Sequence, residues 1–264
     1  MGTSTKLEHV TGRWQQLRRF VRARLDRKSE LGLRLTINVI LFAAAIWAFA
    51  GLLEEVLDNA TLVEWDVRLN AWAHGHTTAA GLQFFHLVTL VGSPGVWAIT
   101  ALFGLWLLRR KEWFLFWGWI ASNVGGGILQ LILKATVHRN RPQYAARYLH
   151  GQSYSFPSGH TMSATICWSL MVVCAGLSRG WHGRKRLQLY VVSTTVVVLI
   201  GVSRLYLGVH YPSDVLGGLI IGTAWVVLCT TAIRIVDSSE AQRERASLQM
   251  VGGAVRRENP RGRA

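Results

Sequence analysis

Three short stretches of this chain carry side chains whose types and spacing suit chemistry on an anion. In the first, Lys134 is followed seven residues later by Arg141 and then Pro142. The second is Pro157-Ser158-Gly159-His160, and the third sets Ser203-Arg204 ahead of His210 and Asp214. A guanidinium fork matches phosphate oxygens bidentately and a lysine adds a compact charge, so Lys134, Arg141 and Arg204 suit a phosphoryl group. Ser158 and Gly159 stand just before an apolar run, where the unpaired N–H groups of a helix start attract anions. Gly159 lets that backbone come close to an oxyanion. Two histidines supply a covalent route, in which one attacks phosphorus and the other protonates the leaving oxygen. His210 reads as the nucleophile, because Asp214 lies four residues on and Pro212 is well placed in the first turn of a helix. The carboxylate then fixes the imidazole tautomer and supports its charge, as in a hydrolase triad. His160 is left as general acid, and Lys134, Arg141, Ser158, Gly159 and Arg204 hold the phosphate.

The elements that must position these blocks are apolar and long. Segments 35–53, 113–133, 161–177, 187–202 and 215–235 approach or reach the ~20 residues needed to cross the hydrocarbon core of a bilayer. Region 79–108 is interrupted by Gly92-Ser93-Pro94-Gly95, and either half alone is short for a span. Residues 93–108 read as the second crossing, with 82–91 before it as a membrane-embedded or interfacial helix at the outer face. The expected fold is an all-α, six-span transmembrane bundle, with spans three to six carrying the site at one mouth. Residues 1–34 form a basic cytoplasmic segment, 35–236 the membrane domain, and 237–264 a basic cytoplasmic tail expected to be disordered. A surface helix is expected over 14–31.

The formal charge of +15, from 29 basic and 14 acidic residues, raises nucleic acid as a partner. Placement decides against it. Most Lys and Arg fall in 1–34, 109–111, 179–186 and after 233, all on one side of a six-span chain, which puts both termini in the cytoplasm and the site on the extracytoplasmic side. Counting 82–91 as a seventh span would put Arg179, Arg184, Lys185 and Arg186 outside, against the same rule. The chemistry-bearing blocks were not used in that count, yet it brings all three to one face.

The three blocks resemble the signature of the type 2 phosphatidic acid phosphatase family, whose core is shared with vanadium haloperoxidases and bacterial class A acid phosphatases. The pattern is Lys, six residues, Arg-Pro; then Pro-Ser-Gly-His; then Ser-Arg, five residues, His, three residues, Asp, and every fixed position is matched. At about one chance in twenty per fixed residue, the third block alone arises roughly once in a hundred thousand starting points. The resemblance covers 134–214 with its framing spans and says little about the first 80 residues. It implies a lipid phosphatase without metal or cofactor. In it His210 forms the phosphohistidine, Asp214 is its partner, His160 is the general acid, and Lys134, Arg141, Ser158, Gly159 and Arg204 bind phosphate.

The substrate expected is a lipid phosphomonoester or pyrophosphate in the outer leaflet of the cell inner membrane. Undecaprenyl pyrophosphate, in cell wall precursor recycling, comes first; phosphatidylglycerol phosphate or phosphatidic acid comes second. Two alternatives are a phosphotransferase that passes the phosphoryl group to a sugar or lipid acceptor, and a non-enzymatic lipid-phosphate binding or transport protein. Vanadium-dependent halide oxidation is a third.

Other residues have plainer readings. Cys167, Cys174 and Cys229 fall inside spans without metal-ligand spacing and read as small apolar side chains. His74, His76, His138 and His150 read as caps or interface residues, and Arg139 and Arg147 as headgroup anchors or solvated charges. Asn123, Gly125, Gly126, Gly127, Gly218 and Gly222 suit close helix packing and polar contact between spans. Trp113 and Trp181 suit interfacial anchoring. The loop from Gln143 to Phe156, with Tyr144, Tyr148, Tyr154 and Phe156, is expected to sit over the site.

Overall fold

The structure, a computed structural model, describes residues 30–58, 61–92, 94–147, 154–181 and 183–258. Among them the chain forms α1 (Glu30–Leu57), α2 (Thr61–Gly75), α3 (Ala79–Gly92), α4 (Pro94–Arg109) and α5 (Trp113–Val137). A 3-10 turn (Gln143–Arg147) leads on to α6 (Gly159–Arg179), α7 (Gly183–Tyr206) and α8 (Pro212–Glu258). Six runs are long and apolar enough to cross a membrane. The protein is a multi-pass membrane protein built as an all-helical bundle. The surface helix expected over 14–31 and the stretch 259–264 of the tail lie outside the described residues.

The bundle is organised around α6. Burial reaches 61% of its apolar stretch, against 6% for α1 and 22% for the apolar part of α8. Met162, Cys167, Leu170 and Cys174 of α6 have no exposed surface, and α5, α7 and α8 pack around them. Large apolar side chains instead face outward on the surrounding helices: Ile40, Trp47, Leu102, Leu131 and Leu187 are exposed. In water such a surface would be strongly unfavourable; against lipid tails it is the stable arrangement.

Small residues set the closest approaches. A Cβ on Gly218 of α8 would stand 2.6 Å from the Ser158 carbonyl oxygen, and one on Gly222 would stand 3.1 Å from Thr165. Gly125 and Gly126 of α5 take the Trp225 ring of α8, whose Nε1 donates to the Ser122 carbonyl at 2.8 Å. These glycines pack helices as expected. Gly127 differs, since nothing lies within 4 Å of a Cβ there. Asn123 does not bridge spans; its amide donates to the Trp119 carbonyl of its own helix at 2.9 Å.

The second crossing is a broken one. α3 lies along α7, with Phe85 against Tyr206 at 4.6 Å, and its last residue, Gly92, fits under Ile200 where a Cβ would meet Cγ2 at 2.6 Å. Pro94 then opens α4, a position where its missing N–H costs no helical bond. Residues 79–109 together are long and apolar enough for one crossing. A further difference concerns the tail: α8 runs unbroken past Asp237 to Glu258, where disorder was expected. Ala241, Gln242, Arg243, Glu244 and Arg245 are strong helix formers, and the helix they extend is already nucleated.

Candidate active site

The site forms where α5 and α7 end and α6 and α8 begin. Lys134 occupies the last turn of α5, which His138 closes in the left-handed conformation (φ 51°) with its N–H donating to the Lys134 carbonyl. The chain then turns back through Arg139 and Arg141. Its returning limb is fastened by the Ser155 N–H donating to the Arg139 carbonyl at 2.8 Å and by Ser155 Oγ donating to the Asn140 carbonyl at 3.0 Å. Ser158 caps α6, and its N–H donates to the Asp214 carbonyl at 2.9 Å, which ties the start of α6 to the first turn of α8. Beyond α7, Gly208 takes φ 65°, a conformation that favours glycine, and so turns His210 inward ahead of Pro212.

These elements enclose a cavity of about 410 Å³ with Lys134, Arg141, Gly159, His160 and His210 on its wall. Gln130 and Ser163 add polar groups, joined by a hydrogen bond of 3.2 Å from Ser163 Oγ to Gln130 Oε1. Val96, Trp97, Val124, Gly127, Ile128 and Leu131 form the apolar remainder. A Cβ on Gly159 would meet the side-chain amide of Gln130, so the two pack directly against each other.

His210 is 1% exposed. Its Nδ1 lies 3.3 Å from Asp214 Oδ2, and its Nε2 lies 3.2 Å from Arg141 Nη1. Because a guanidinium only donates, the consistent tautomer has Nδ1–H donating to Asp214 and the Nε2 lone pair accepting from Arg141. Burial, then the charges of Arg141, Arg204 and Lys134, push the imidazole well below its ordinary value. The ring is therefore held neutral. Asp214 is fully buried, and its Oδ2 also accepts from the Tyr211 N–H at 2.9 Å.

Two phosphate-binding candidates stand back from the cavity wall. Ser158 is fully buried, with its Oγ accepting from Thr161 Oγ1 at 3.1 Å. Arg204 donates from Nη1 to Thr89 Oγ1 at 2.6 Å, while its buried Nε has no partner among the described residues. Its charge still acts on Lys134, His160 and His210.

Sequence reasoning missed a second layer. Arg139, read as a solvated or headgroup-anchoring charge, is 10% exposed and forks between two carboxylates: Nη1 to Asp214 Oδ1 at 2.7 Å and Nη2 to Asp66 Oδ2 at 2.8 Å. Burial works against its charge, but Asp214 and Asp66 more than offset it and raise its ionisation above the ordinary guanidinium value. Asp66 and Asn70 belong to α2, in the region about which the sequence said little. The available signal was their spacing: they are four apart, hence on one helix face, amid Trp65, Leu69 and Trp72. Of the aromatic loop, Tyr144 stacks on His74 at 3.8 Å and Tyr154 packs edge-on to His138 at 4.4 Å. Phe156 is not over the site; it is fully buried and stacks on Phe49 of α1 at 5.7 Å, because an aromatic ring gains most by leaving water altogether. Tyr148, His150 and the side chain of Arg147 lie outside the described residues.

The family model for the PAP2 superfamily matches residues 113–236, the stretch that carries every one of the eight anticipated site residues. A relative of wider reach, decaprenylphosphoryl-5-phosphoribose phosphatase of Mycobacterium tuberculosis, is 32% identical over 64% of this chain and 82% of its own length. The chain belongs to the PAP2 superfamily. Phosphatidylglycerophosphatase B of Bacillus subtilis is 36% identical over 36% of this PAP2 chain, and the match spans under half of that relative, 46%. Lipid A 1-phosphatase of Rhizobium johnstonii is 28% identical over 47% of the chain. These named relatives are lipid phosphatases. A crystal structure of a transmembrane PAP2 type phosphatidylglycerolphosphate phosphatase from Bacillus subtilis has the same fold, with a TM-score of 0.67, 22% identity, and coverage of 75% of this chain and 96% of that one.

Proposed function

We propose that this PAP2 protein is a membrane lipid phosphatase that hydrolyses a lipid phosphomonoester or pyrophosphate through a phosphohistidine at His210. The observation that carries the reading is the two-part character of the cavity. Lys134, Arg141, His160 and His210 supply its polar lining, whereas Trp97 and, one to three turns before Lys134 on α5, Val124, Ile128 and Leu131 supply an apolar one. Those four apolar side chains are also exposed on the outside of the bundle, so the cavity opens sideways toward lipid. A headgroup phosphate at the polar lining and its chain in the apolar opening use both parts at once.

The reaction runs in two displacements. His210 Nε2 attacks phosphorus; the N–P bond forms as the P–O bond to the lipid breaks, and the leaving oxygen takes a proton from His160. Water then attacks phosphorus and gives its proton to His160, and the N–P bond breaks to release phosphate. Asp214 stabilises the charge on the His210 ring, while Lys134, Arg141 and Arg204 stabilise the equatorial oxygens with help from Ser158 and Gly159 at the start of α6. The first step needs His160 in its protonated form.

Undecaprenyl pyrophosphate is the first substrate to try, and phosphatidylglycerol phosphate and phosphatidic acid come next. The relatives' names add decaprenylphosphoryl-5-phosphoribose and the 1-phosphate of lipid A. The positive charge of Arg109, Arg110, Lys111, Arg184 and Lys185, opposite the site, supports a cytoplasmic placement of that end and an extracytoplasmic site in the inner membrane. Purified protein given these lipids with EDTA present is expected to release phosphate from at least one, and His210→Ala to release none. No release from any of them, or full activity in His210→Ala, would overturn the reading.

A further inference from the structure

α2 lies outside the span matched by the family model, yet it reaches the back of the site. The helix is amphipathic in an inverted sense: Trp65, Leu69 and Trp72 are exposed, and Asp66 and Asn70 are the buried residues. A carboxylate turned away from water needs hydrogen-bond and charge partners for both of its oxygens. Asp66 has them. Its Oδ1 accepts from the Ser213 N–H at 3.0 Å, and its Oδ2 accepts from Arg139 Nη2 at 2.8 Å and from Ser213 Oγ. One residue along α8 stands Asp214, whose Oδ1 takes the other arm of Arg139 and whose Oδ2 faces His210 Nδ1. Asn70 donates to the His210 carbonyl at 3.2 Å, so the same helix also holds the backbone of the nucleophile.

Charge turns this geometry into a consequence. Counted as ion pairs, the two carboxylates of Asp66 and Asp214 share the single guanidinium of Arg139, so the group has one acid more than it has bases beside His210. Arg139 and Asp214 alone would balance. Among the described residues, the other charged or titratable groups around His210 are Arg141 from the loop, Lys134 of α5, His160 of α6, Arg204 of α7 and Tyr211, whose ring lies against Arg139, and none of them is a carboxylate. The positive charge that forms on the ring as Nε2 bonds to phosphorus therefore has one source of support. An arginine engaged with Asp214 alone would cancel much of it.

We propose that Asp66 is a positioning residue for the phosphoryl-transfer step: by holding one arm of Arg139 it leaves Asp214 oriented and negatively charged toward His210. The proposal rests on the phosphohistidine reading above, and α2 thereby becomes a working part of the site. The test compares wild type, Asp66→Asn, Asp66→Glu and the double variant Asp66→Asn/Arg139→Gln on the best lipid phosphate of the panel. Asp66→Asn should lose ~10–100-fold in kcat, the range seen when a partner behind a functional side chain is removed, with KM changed by less than about threefold because no phosphate contact is lost. Asp66→Glu should recover part of the loss. The double variant removes one acid and one base and keeps the excess of one acid, so its kcat should rise several-fold above that of Asp66→Asn, a reversal that a merely structural role does not produce.

Wild-type kcat in Asp66→Asn would overturn the proposal, and so would a folded double variant no faster than Asp66→Asn. Should Asp66→Asn fail to fold, the double variant is read against wild type: retained turnover within about a hundredfold supports the proposal and a folded but inactive protein overturns it. Failure of the wild type to hydrolyse any lipid counts against the phosphatase reading. Turnover in the wild type with no effect at Asp66 counts against Asp66 alone.

Discussion

His210 combines near-complete burial with an unprotonated Nε2, whose lone pair accepts from Arg141. Burial and three surrounding cations disfavour its protonation, while Asp214 fixes Nδ1 as the donor and so leaves Nε2 unprotonated. The sign of the pH effect follows directly. A group whose protonation is disfavoured stays neutral as pH falls through the ordinary histidine range, so the His210 ring stays neutral in mild acid. In 15N NMR of histidine-labelled protein, the imidazole whose signal vanishes in His210→Asn should remain neutral across about pH 5–8; titration of that ring near the ordinary value would contradict the account. His210, Asp214, His160 and the basic residues were legible because their spacing is a chemical pattern within short stretches of chain. Arg139 was not, because an arginine at a span end reads equally as a headgroup anchor. Only the fold brings Asp66, 73 residues away in sequence, against it.

At the scale of elements, the site depends on the close approach of α6 and α8. Ser158 and Asp214 are joined through the backbone, and Gly218, one turn beyond Asp214, leaves room for the Ser158 carbonyl. A methyl group placed 2.6 Å from that oxygen has backbone on the other side, with no flexible side chain to yield. Gly218→Ala should therefore destabilise the protein by about 1–3 kcal/mol and lower turnover by shifting His160 relative to His210; thermal unfolding in detergent and kcat measured together check this, and an unchanged midpoint with unchanged kcat would count against it. Hydropathy made the spans legible, and the small-residue spacing marked the packing faces. The broken second crossing was only half visible: Gly92 to Gly95 showed the interruption, but whether α3 entered the bundle depended on its contacts with Ile200 and Tyr206, which no local pattern encodes. The same holds for Phe156, whose partner Phe49 is over a hundred residues earlier.

Across the whole molecule, one end of the bundle carries the cavity and the other a band of arginine and lysine. The proposed orientation is checked by a membrane-impermeant maleimide on whole cells. A cysteine replacing the exposed Gln143, beside the site, should label directly, and one replacing the exposed Arg184 only after permeabilisation; the reverse pattern would invert the topology. The cavity joins the two environments a lipid phosphate needs, a cationic lining with two histidines and an apolar wall open to the bilayer. The central claim is that a phosphoryl group passes from lipid to His210 before water removes it. The most direct measurement is to mix the protein with a 32P-labelled lipid phosphate, quench in alkali within the first turnover, and map the label by peptide mass spectrometry. The account predicts an alkali-stable, acid-labile phosphohistidine at His210 that is absent from His210→Ala. Phosphate release at the wild-type rate from His210→Ala, or label on another residue, would contradict it.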